Sequence, residues 1–531
     1  MKKWMVLATL SMSMFIIVID TTIMNVSISA LIEDLDTTVG GIQAAIALYA
    51  LVMASFMLIG GKLADILGKK RTFLLGVVIF GIGTFLASIS QSLTMLIIGW
   101  SIIEGLGSAL MMPNIQTLLR AKYEGADRAF AYGIISAVAA VGAAVGPIVG
   151  GFLTTFYSWR WAFRLEVVIV IVVIVLSRYL TAEKVPADRD RFDFVGALLS
   201  IFGWSALVLG ILLGQSYGFW QAKQPFTIGS LEIAPLGLSI VPVLIGAGVL
   251  LIMLLFSWER RLEDNGGGGL FKPSLFSTPG IIPGFAVRFV QMGTTAAFLF
   301  IMPLMFQLKF EYTAMQTGQA LIPFSIGLLV FAIIGARLSA RFTAKRIIQM
   351  GFVLAIAGLV VIAGAIGPDA EPSDLATGIL FGLGLGLIAS QILNLILSSV
   401  SAEDTAEASG LNGTFEQLGN SVGVALVGTM MLGGLAIGIE EGITASTAIP
   451  EQYKVELITL TESSVELMSN SQLQSGLQAI GSDGAMEKEI LSIYSVARAR
   501  AFQAGMWFLV FVSLIGLVMT TGLQRRKLID T

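Results

Sequence analysis

The sequence contains no histidine and no cysteine among its 531 residues, and charged residues make up only 13% of it. Without those two side chains the chain has no disulfides and none of the usual ligands for haem, zinc or copper, so we expect no metal and no cofactor. So little charge excludes a soluble globule of this size and a disordered chain. The net charge of −3 argues against a nucleic-acid partner. If the protein binds and releases protons, carboxylate side chains must therefore do so.

Long apolar stretches dominate what is present: hydrophobic residues make up 56% of the chain, and mean hydropathy is +0.86. A membrane-spanning helix needs about 20 mainly apolar residues. The first run follows Lys2 and Lys3 and reaches about Ala30 without a small-residue cleavage site, which favours a span over a signal peptide. We predict an all-α polytopic membrane protein with 14 transmembrane helices. The later stretches are 40–61, 72–90, 93–118, 129–156, 161–180, 194–214, 235–257, 280–306, 315–337, 346–367, 375–400, 406–436 and 502–523.

The basic residues give the expected orientation. Most of the 32 lysines and arginines fall in the alternate set of loops that includes both termini. Since cytoplasmic loops carry the excess of Lys and Arg, we expect both termini in the cytoplasm and the chain in the cell membrane.

One outer segment, 437–500, is polar, acidic and without a spanning stretch. Its part from Val455 to Met468 has spaced apolar residues that favour an amphipathic helix. Two interpretations stay open for this loop: a solvated cap, or a vestibule that attracts cations.

The two halves of the chain share a loop pattern. Residues 60–71 read GGKLADILGKKR, and residues 335–346 read GARLSARFTAKR. Internal repeats in a membrane protein indicate two related bundles with a central site between them. We therefore predict two pseudo-symmetric six-helix bundles, 1–182 and 278–531, separated by two inserted helices with their linkers at 183–277.

Four motifs in order carry a resemblance to a known family. They are the loop at 61–71, DTTIMNV at 20–26, GAAVGPIVGG at 142–151 and SWRWAF at 158–163. With them, the whole chain resembles the major facilitator superfamily, specifically its fourteen-span drug:proton antiporter branch. The resemblance implies a monomeric transporter that exchanges protons for a small-molecule substrate and draws its energy from the proton gradient.

The loop at 61–71 resembles the family's cytoplasmic gate motif. Glycines permit close backbone approach, and an acid among bases can form an ion pair or cap a helix. The alternative is a charged loop that merely follows the positive-inside rule. The second copy has Ala340 in place of the acid. The gate residues are Gly61, Asp65, Gly68, Lys69, Lys70 and Arg71.

The stretch 142–151 resembles the family's antiporter motif. Glycines at steps of four make one helix face smooth, so that another helix can approach, and a proline bends the helix. The alternative is a packing contact between small residues. The two interpretations nearly coincide, because the family's motif also acts through close helix packing. The motif residues are Gly142, Gly146, Pro147, Gly150 and Gly151.

Carboxylates inside the apolar stretches are the candidate proton carriers, because a charge at the membrane centre is costly unless it has a function. We select Asp20, Glu104 and Glu416. Glu166 lies near Arg160 and Arg164, so a surface ion pair is expected for it. The alternative for Asp20 is an acid satisfied by hydrogen bonds or by Arg288. Polar candidates for a substrate cavity are Asn25, Asn412, Gln417 and Asn420.

Span four departs from the family pattern. Many relatives have Arg-x-x-Gln-Gly there, whereas this chain has Ser101 in place of the arginine and Glu104 in place of the glutamine. The family's proton-coupling arginine therefore cannot be carried over, and Glu104 is the available titratable group.

These observations favour proton-driven efflux of lipophilic, cationic compounds by alternating access. A dedicated exporter of an endogenous metabolite or lipid is the alternative, and a membrane-bound sensor is disfavoured because no signalling domain is evident. We expect no enzyme, since the chain has no catalytic constellation and no phosphate-binding loop of the ATP-driven type.

Overall fold

The structure is a computed structural model that describes residues 2–180, 192–223, 225–228, 231–233, 237–401, 404–447, 449–451, 454–455, 458, 466–479 and 484–524. Over those residues the protein is helical apart from one antiparallel hairpin of strands β1 (Phe226–Ile228) and β2 (Leu231–Ile233). Within the described ranges, thirteen helical segments are long and apolar enough to cross a membrane. The prediction of a polytopic helical membrane protein is confirmed at this level.

The first part of the chain forms eight helices. Helix α3 begins at an N-cap Thr38 whose side chain accepts from Gly41, and α4 follows α3 directly after Gly68, which has a φ of +94°. The helices are α1 (Lys2–Val26), α2 (Ile28–Asp34), α3 (Val39–Leu67), α4 (Lys69–Ser88), α5 (Leu93–Leu96), α6 (Gly105–Lys122), α7 (Gly125–Phe156) and α8 (Arg160–Leu176). A π-helical segment, Ile97–Glu104, joins α5 to α6.

Of the remaining helices, α9 precedes the hairpin and the others follow it. They are α9 (Phe194–Tyr217), α10 (Ile240–Asp264), α11 (Ile281–Lys309), α12 (Ala314–Ala320), α13 (Ile322–Leu338), α14 (Ala344–Ala365), α15 (Gly378–Leu397), α16 (Thr405–Ala445), α17 (Asn470–Ala479) and α18 (Gly484–Met519). Short 3-10 turns lie at Ser177–Tyr179, Pro273–Ser277, Pro372–Thr377 and Thr520–Gly522.

Two predicted spans differ from the structure in detail. The stretch 315–337 is divided at Leu321 into α12 and α13, where Pro323 occupies the first turn of α13 and has no amide hydrogen for the preceding helix. The stretch 161–180 forms α8, whose 17 residues extend about 26 Å, at the short end of what a bilayer requires. Helix α8 is not among the thirteen segments.

The predicted outer loop 437–500 is shorter than expected, because helices extend into it from both sides. Helix α16 continues to Ala445 and α18 begins at Gly484. Most of the amphipathic helix predicted for Val455 to Met468 lies outside the described residues, and residues 466–469 are not helical.

Helix packing links distant parts of the chain. Helix α1 packs against α7 and α8, while α4 packs against α6 and α8. Later in the chain, α11 packs against α16, and α13 and α14 both pack against α15. The two regions meet where α3 lies along α16 and where α7 meets α12. Helices α9 and α10 pack against each other, and α9 also contacts α3 and α16.

Candidate functional site

Three carboxyl groups from three helices converge inside the first eight helices. Asp20 of α1, Glu104 of the π-helical segment and Glu166 of α8 each place one oxygen within 4.8 Å of the other two. Their exposed fractions are 1%, 0% and 2%. We call this group the three-acid cluster. Two of its members are predicted proton-coupling candidates, and the third was expected elsewhere.

Glycine and the π-helical segment bring Glu104 close to α4. A Cβ atom added to Gly83 of α4 would lie 2.4 Å from the Glu104 backbone nitrogen, so only glycine permits this approach. The next residue on α4 is Thr84, whose hydroxyl donates to Glu166 at 3.0 Å. The close contact of these backbones thus places α4 beside two of the three acids.

Trp100 supplies the hydrogen bonds to Asp20. Its indole nitrogen donates to both carboxylate oxygens at 2.9 Å. The indole ring stacks on Tyr49 with ring centroids 5.0 Å apart, and the Tyr49 hydroxyl is 2.9 Å from that of Ser108. Ser101, at the position of the family's arginine, is fully buried and donates to the Ala45 carbonyl.

Glu104 has no such donor. Both of its carboxylate oxygens are buried without a hydrogen-bond partner, and so is Oε1 of Glu166. Two unit charges 4.8 Å apart repel each other by about 3.5 kcal/mol at an effective dielectric constant of 20. The cluster therefore does not accommodate three ionised carboxylates. Its ligand set of oxygens alone is the kind that protons or hard cations occupy.

The expected surface ion pair of Glu166 is wrong. Arg160 instead forms a salt bridge with Asp34 at 2.6 Å and donates to the Ser90 carbonyl. Arg160 is the first residue of α8, so its side chain reaches the adjoining loops. Glu166 lies nearly two turns further along the same helix, on its buried face.

Glu416 lies apart from the three-acid cluster, on α16. It forms a salt bridge with Arg288 of α11, and Arg288 also donates to Gln291 at 2.9 Å. The two side chains are 12% and 13% exposed. The suggestion that Arg288 satisfies Asp20 is therefore wrong, because Arg288 pairs with Glu416, which lies in the same half of the chain as Arg288.

The polar cavity candidates occupy two places. Asn412 and Gln417 are buried on α16, and the Asn412 side-chain oxygen has no partner. Asn420 is partly exposed and donates to Gln417 at 3.1 Å. Asn25 of α1 donates to the Thr21 carbonyl at 2.8 Å, leaving its own oxygen buried and unpartnered. Together with Glu416, the α16 residues form a polar stripe on that helix.

The glycines of the antiporter-like motif lie at two helix contacts. A Cβ on Gly142, Gly146 or Gly150 would meet α1, most severely at Gly146, where it would lie 1.9 Å from the Thr22 hydroxyl oxygen. A Cβ on Gly151 would lie 2.5 Å from the Ala314 carbonyl oxygen of α12. Pro147 contributes to the same contact, since its carbonyl faces Gly318. Helix α7 therefore uses one small-residue face for α1 and another for α12.

The motif 61–71 covers the end of α3, Gly68 and the first turn of α4. Gly68 needs its positive φ, but Gly61 does not permit the close approach expected of it, because a Cβ there would meet nothing within 4 Å. The preceding Gly60 takes that role against α6. Lys70 donates to the Leu180 carbonyl at 2.6 Å, which connects the start of α4 to the segment that follows α8. Asp65 and Lys69 have interaction partners as well, and Arg71 is exposed.

The second copy of the loop motif lies at the turn that follows the last helix. Lys345 donates to the carbonyls of Thr521 and Leu523, and Gln349 donates to the Thr520 hydroxyl at 3.2 Å. Lys345 and Arg346 also line a pocket of about 430 Å³ at this contact. Both copies thus connect a helix pair to another helix end.

Comparison with known proteins agrees with this architecture. A family model described as Major Facilitator Superfamily matches residues 10–424. A probable actinorhodin transporter of Streptomyces coelicolor is 30% identical over 441 residues, which cover 81% of this chain and 73% of the relative. The puromycin resistance protein pur8 of Streptomyces alboniger is 26% identical over 84% of this chain and 85% of its own length. Multidrug resistance proteins are among the further relatives.

The fold also resembles a solved transporter. An auto-inhibited peptide transporter of the POT family superimposes with a TM-score of 0.58 at 12% identity, covering 98% of this chain and 96% of that one. At so low an identity the likeness concerns the fold alone.

Proposed function

The chain belongs to the Major Facilitator Superfamily, and from this premise we propose that it is a proton-coupled antiporter that exports lipophilic, cationic compounds by alternating access. Its curated relatives are antibiotic and multidrug exporters, which supports drug efflux rather than an enzymatic activity. The observation that carries proton coupling is the three-acid cluster, in which no carboxyl group pairs with a basic side chain of the described residues. Asp20, Glu104 and Glu416 remain the proposed coupling residues, and no cofactor is required.

The proposed architecture has fourteen spans, with α8 as the short sixth one. In this proposal 1–182 and 278–531 form two six-helix bundles, α9 and α10 are the insert, and one chain is the working unit. Both termini lie in the cytoplasm of a cell whose cytoplasmic membrane holds the protein. The excess of basic residues in the loops on the side of the termini supports this orientation.

In the proposed cycle, contacts between the two bundles break at one end while others form at the opposite end. Gln307 of α11 donates to the Val26 carbonyl and accepts from the Ser29 amide. The amide of Met315 donates to the Thr155 hydroxyl beside Gly151. These contacts lie at the end of α1 and α7 that faces outward in the proposed orientation. At the opposite end, Ser409 donates to Gln116 at 2.6 Å.

In this proposal the three-acid cluster takes up protons, while Glu416 couples to the cycle through its contact with the substrate. The three-acid cluster lies among α1, α4 and α8, whereas the polar stripe of α16 carries Glu416 and Asn412. A cationic substrate competes with Arg288 for Glu416, and the acids of the cluster change protonation as the bundles rock. Protonation favours release of the substrate outward, and deprotonation accompanies its capture inside.

The test is efflux of an ethidium-like dye from proteoliposomes under an imposed proton gradient. We expect dye movement against its gradient that stops when a protonophore is added. Asp20→Asn, Glu104→Gln and Glu416→Gln reduce it, while Glu441→Gln, an exposed acid paired with Arg500, serves as the matched control. Dye transport independent of the gradient would reject proton coupling.

A second candidate function is a dedicated exporter of an endogenous metabolite or lipid using the same cycle. The 30% identity to a probable actinorhodin transporter favours it, since that relative is named for one product. A toxicity panel in a host without its own efflux pumps separates the two. Protection against many unrelated cations supports multidrug efflux, and protection against none of them supports dedicated export.

A further inference from the structure

The three-acid cluster has a composition that the proposed function does not explain. Glu166 belongs to it although neither the loop motifs nor the spacing of acids places it there. Helices α1 and α8 and the π-helical segment each contribute one carboxyl group, and the three are enclosed, with at most 2% of any side chain exposed.

Among the residues that the structure describes, no basic side chain forms an ion pair with this cluster. The sequence suggested Arg288 as a partner of Asp20 and Arg160 as a partner of Glu166. In the structure Arg288 pairs with Glu416, and Arg160 pairs with Asp34. The donors that reach the cluster are neutral: the Trp100 indole and the Thr84 hydroxyl. Helix α3 contributes Tyr49, the remaining titratable group that faces all three acids, and α6 contributes the Ser108 hydroxyl bonded to it.

The hydrogen bonds distinguish the three acids from one another. Asp20 accepts from Trp100 through both oxygens, which stabilises an ionised carboxylate. Glu104 is fully buried and points into the cluster, and neither of its oxygens has a hydrogen-bond partner in the described part of the chain. Oε1 of Glu166 is likewise without a donor. A buried carboxylate without donors is costly, whereas a carboxylic acid in the same place can donate its own proton to a neighbouring oxygen.

We propose that Asp20, Glu104 and Glu166 form one proton-sharing site, in which the two glutamic acids carry protons in this conformation and Asp20 is the ionised member. Glu166 is accordingly a coupling residue. This inference rests on the proposed proton-coupled function. The protons belong to the group rather than to one residue, as expected for carboxyl groups in such proximity. A change in the packing of α1 against α8 separates Asp20 from Glu166 and releases a proton.

Infrared difference spectroscopy of the purified protein at neutral pH tests the protonation directly. Subtracting the spectrum of Glu166→Gln from that of the unmodified chain leaves the carbonyl band of a protonated carboxylic acid. The control Glu441→Gln leaves a carboxylate band, since this acid is exposed. A carboxylate band for Glu166→Gln overturns the proposal. If that variant does not fold, Glu104→Gln gives the same test.

Transport then separates this inference from the proposed function. We expect Glu166→Gln to reduce gradient-driven dye efflux about tenfold or more while binding of the dye is retained. Unchanged efflux with Glu166→Gln overturns the shared site and leaves proton-coupled export standing. Gradient-independent efflux by the unmodified chain rejects the function, whereas the infrared result still decides whether the acids carry protons.

A metal ion is the competing occupant of the cluster. Addition of Ca²⁺ or Mn²⁺ alone is expected to leave the thermal unfolding temperature of the unmodified chain unchanged. A rise in that temperature that Glu166→Gln abolishes overturns the proposal, because the oxygens would then ligate a cation.

Discussion

Arg288 of α11 forms an ion pair with Glu416 of α16, and this pair joins two helices of the second half of the chain. Each side chain is about seven-eighths buried, so each charge depends on the other. The Nε atom of Arg288 is buried without a partner, which makes the guanidinium group incompletely satisfied. A pair held in this way is stable as a unit and sensitive to any ligand that offers either residue a new partner.

We predict that removing one charge of this pair destabilises the protein more than removing both charges. Arg288→Gln or Glu416→Gln alone is expected to lower the free energy of unfolding by about 3 kcal/mol, because the remaining charge is left unpaired. The double variant recovers much of that loss. Thermal unfolding in detergent measures the cycle, and strictly additive losses would show that the two charges do not interact.

Gly151 and Gly133 of α7 are predicted to respond oppositely to the same substitution. Gly151→Ala places a Cβ atom 2.5 Å from the Ala314 carbonyl oxygen, so we expect a loss of about 1–3 kcal/mol at the contact with α12. Gly133→Ala meets no atom within 4 Å, and it should stabilise the helix by up to about 1 kcal/mol.

The absence of cysteine makes the opening of this contact measurable. Thr317→Cys in α12 introduces the sole thiol at a position that is 0% exposed. In the Gly151→Ala background we expect its labelling by a maleimide to be severalfold faster than in the Gly133→Ala background. Equal labelling rates would mean that Gly151 does not hold the two helices together.

Trp100→Phe is predicted to weaken coupling while preserving the aromatic stack. The variant keeps a ring against Tyr49 but removes the N–H that donates to both oxygens of Asp20. A hydrogen bond to a charged group contributes about 1.5–3 kcal/mol, and we expect a loss of stability of that order together with slower proton-driven efflux. Trp204→Phe is the control, because the Trp204 indole nitrogen is buried without a partner. Equal effects of the two substitutions would count against the role of Trp100.

The link between Lys272 and Asp404 is predicted to depend on pH at both extremes. The hydrogen bond from Lys272 lowers the pKa of Asp404, and the same bond raises the pKa of Lys272. The stabilisation from Asp404 is complete above its ordinary pKa of 3.8 and is lost as the pH falls through the lowered value. That from Lys272 is complete below its ordinary pKa of 10.5 and is lost as the pH rises through the raised value.

The contribution of this link is small, because the Lys272 side chain is 52% exposed. We expect less than about 1 kcal/mol, and less still at high salt. The difference in thermal unfolding between Asp404→Asn and the unmodified chain should be largest at pH 7 and should shrink as the pH falls below 3.8. A difference that stays constant as the pH falls would show that the charge of Asp404 does not contribute to stability.

Hydropathy and short motifs predict most helices of this protein, because both depend on residues close together in the chain. The hydropathy pattern also identifies Asp20 and Glu104 as candidates, because an acidic residue within an apolar stretch is unusual. The sequence places Gly146 and Gly150 on one face of α7, and the structure shows α1 against that face. None of these inferences requires knowledge of which helices are neighbours.

Glu166 shows where this reasoning fails. Its neighbours in sequence, Arg160 and Arg164, suggested an ion pair, but the carboxyl group meets Asp20 and Glu104 through packing of three separate helices. The pairing of Arg288 with Glu416 is likewise set by contact between α11 and α16. Contacts between residues far apart in the sequence depend on how the helices pack, and local sequence patterns do not predict them.

The π-helical segment Ile97–Glu104 has a consequence for Trp100 and Glu104, which lie in it four residues apart. A π-helix closes its hydrogen bonds at i→i+5, so each ring contains one residue more than in an α-helix. If the segment reverted to α-helical bonding, the two side chains would rotate about the helix axis relative to Asp20. Deleting a single residue from this segment would therefore change the direction in which the Glu104 side chain leaves the helix axis.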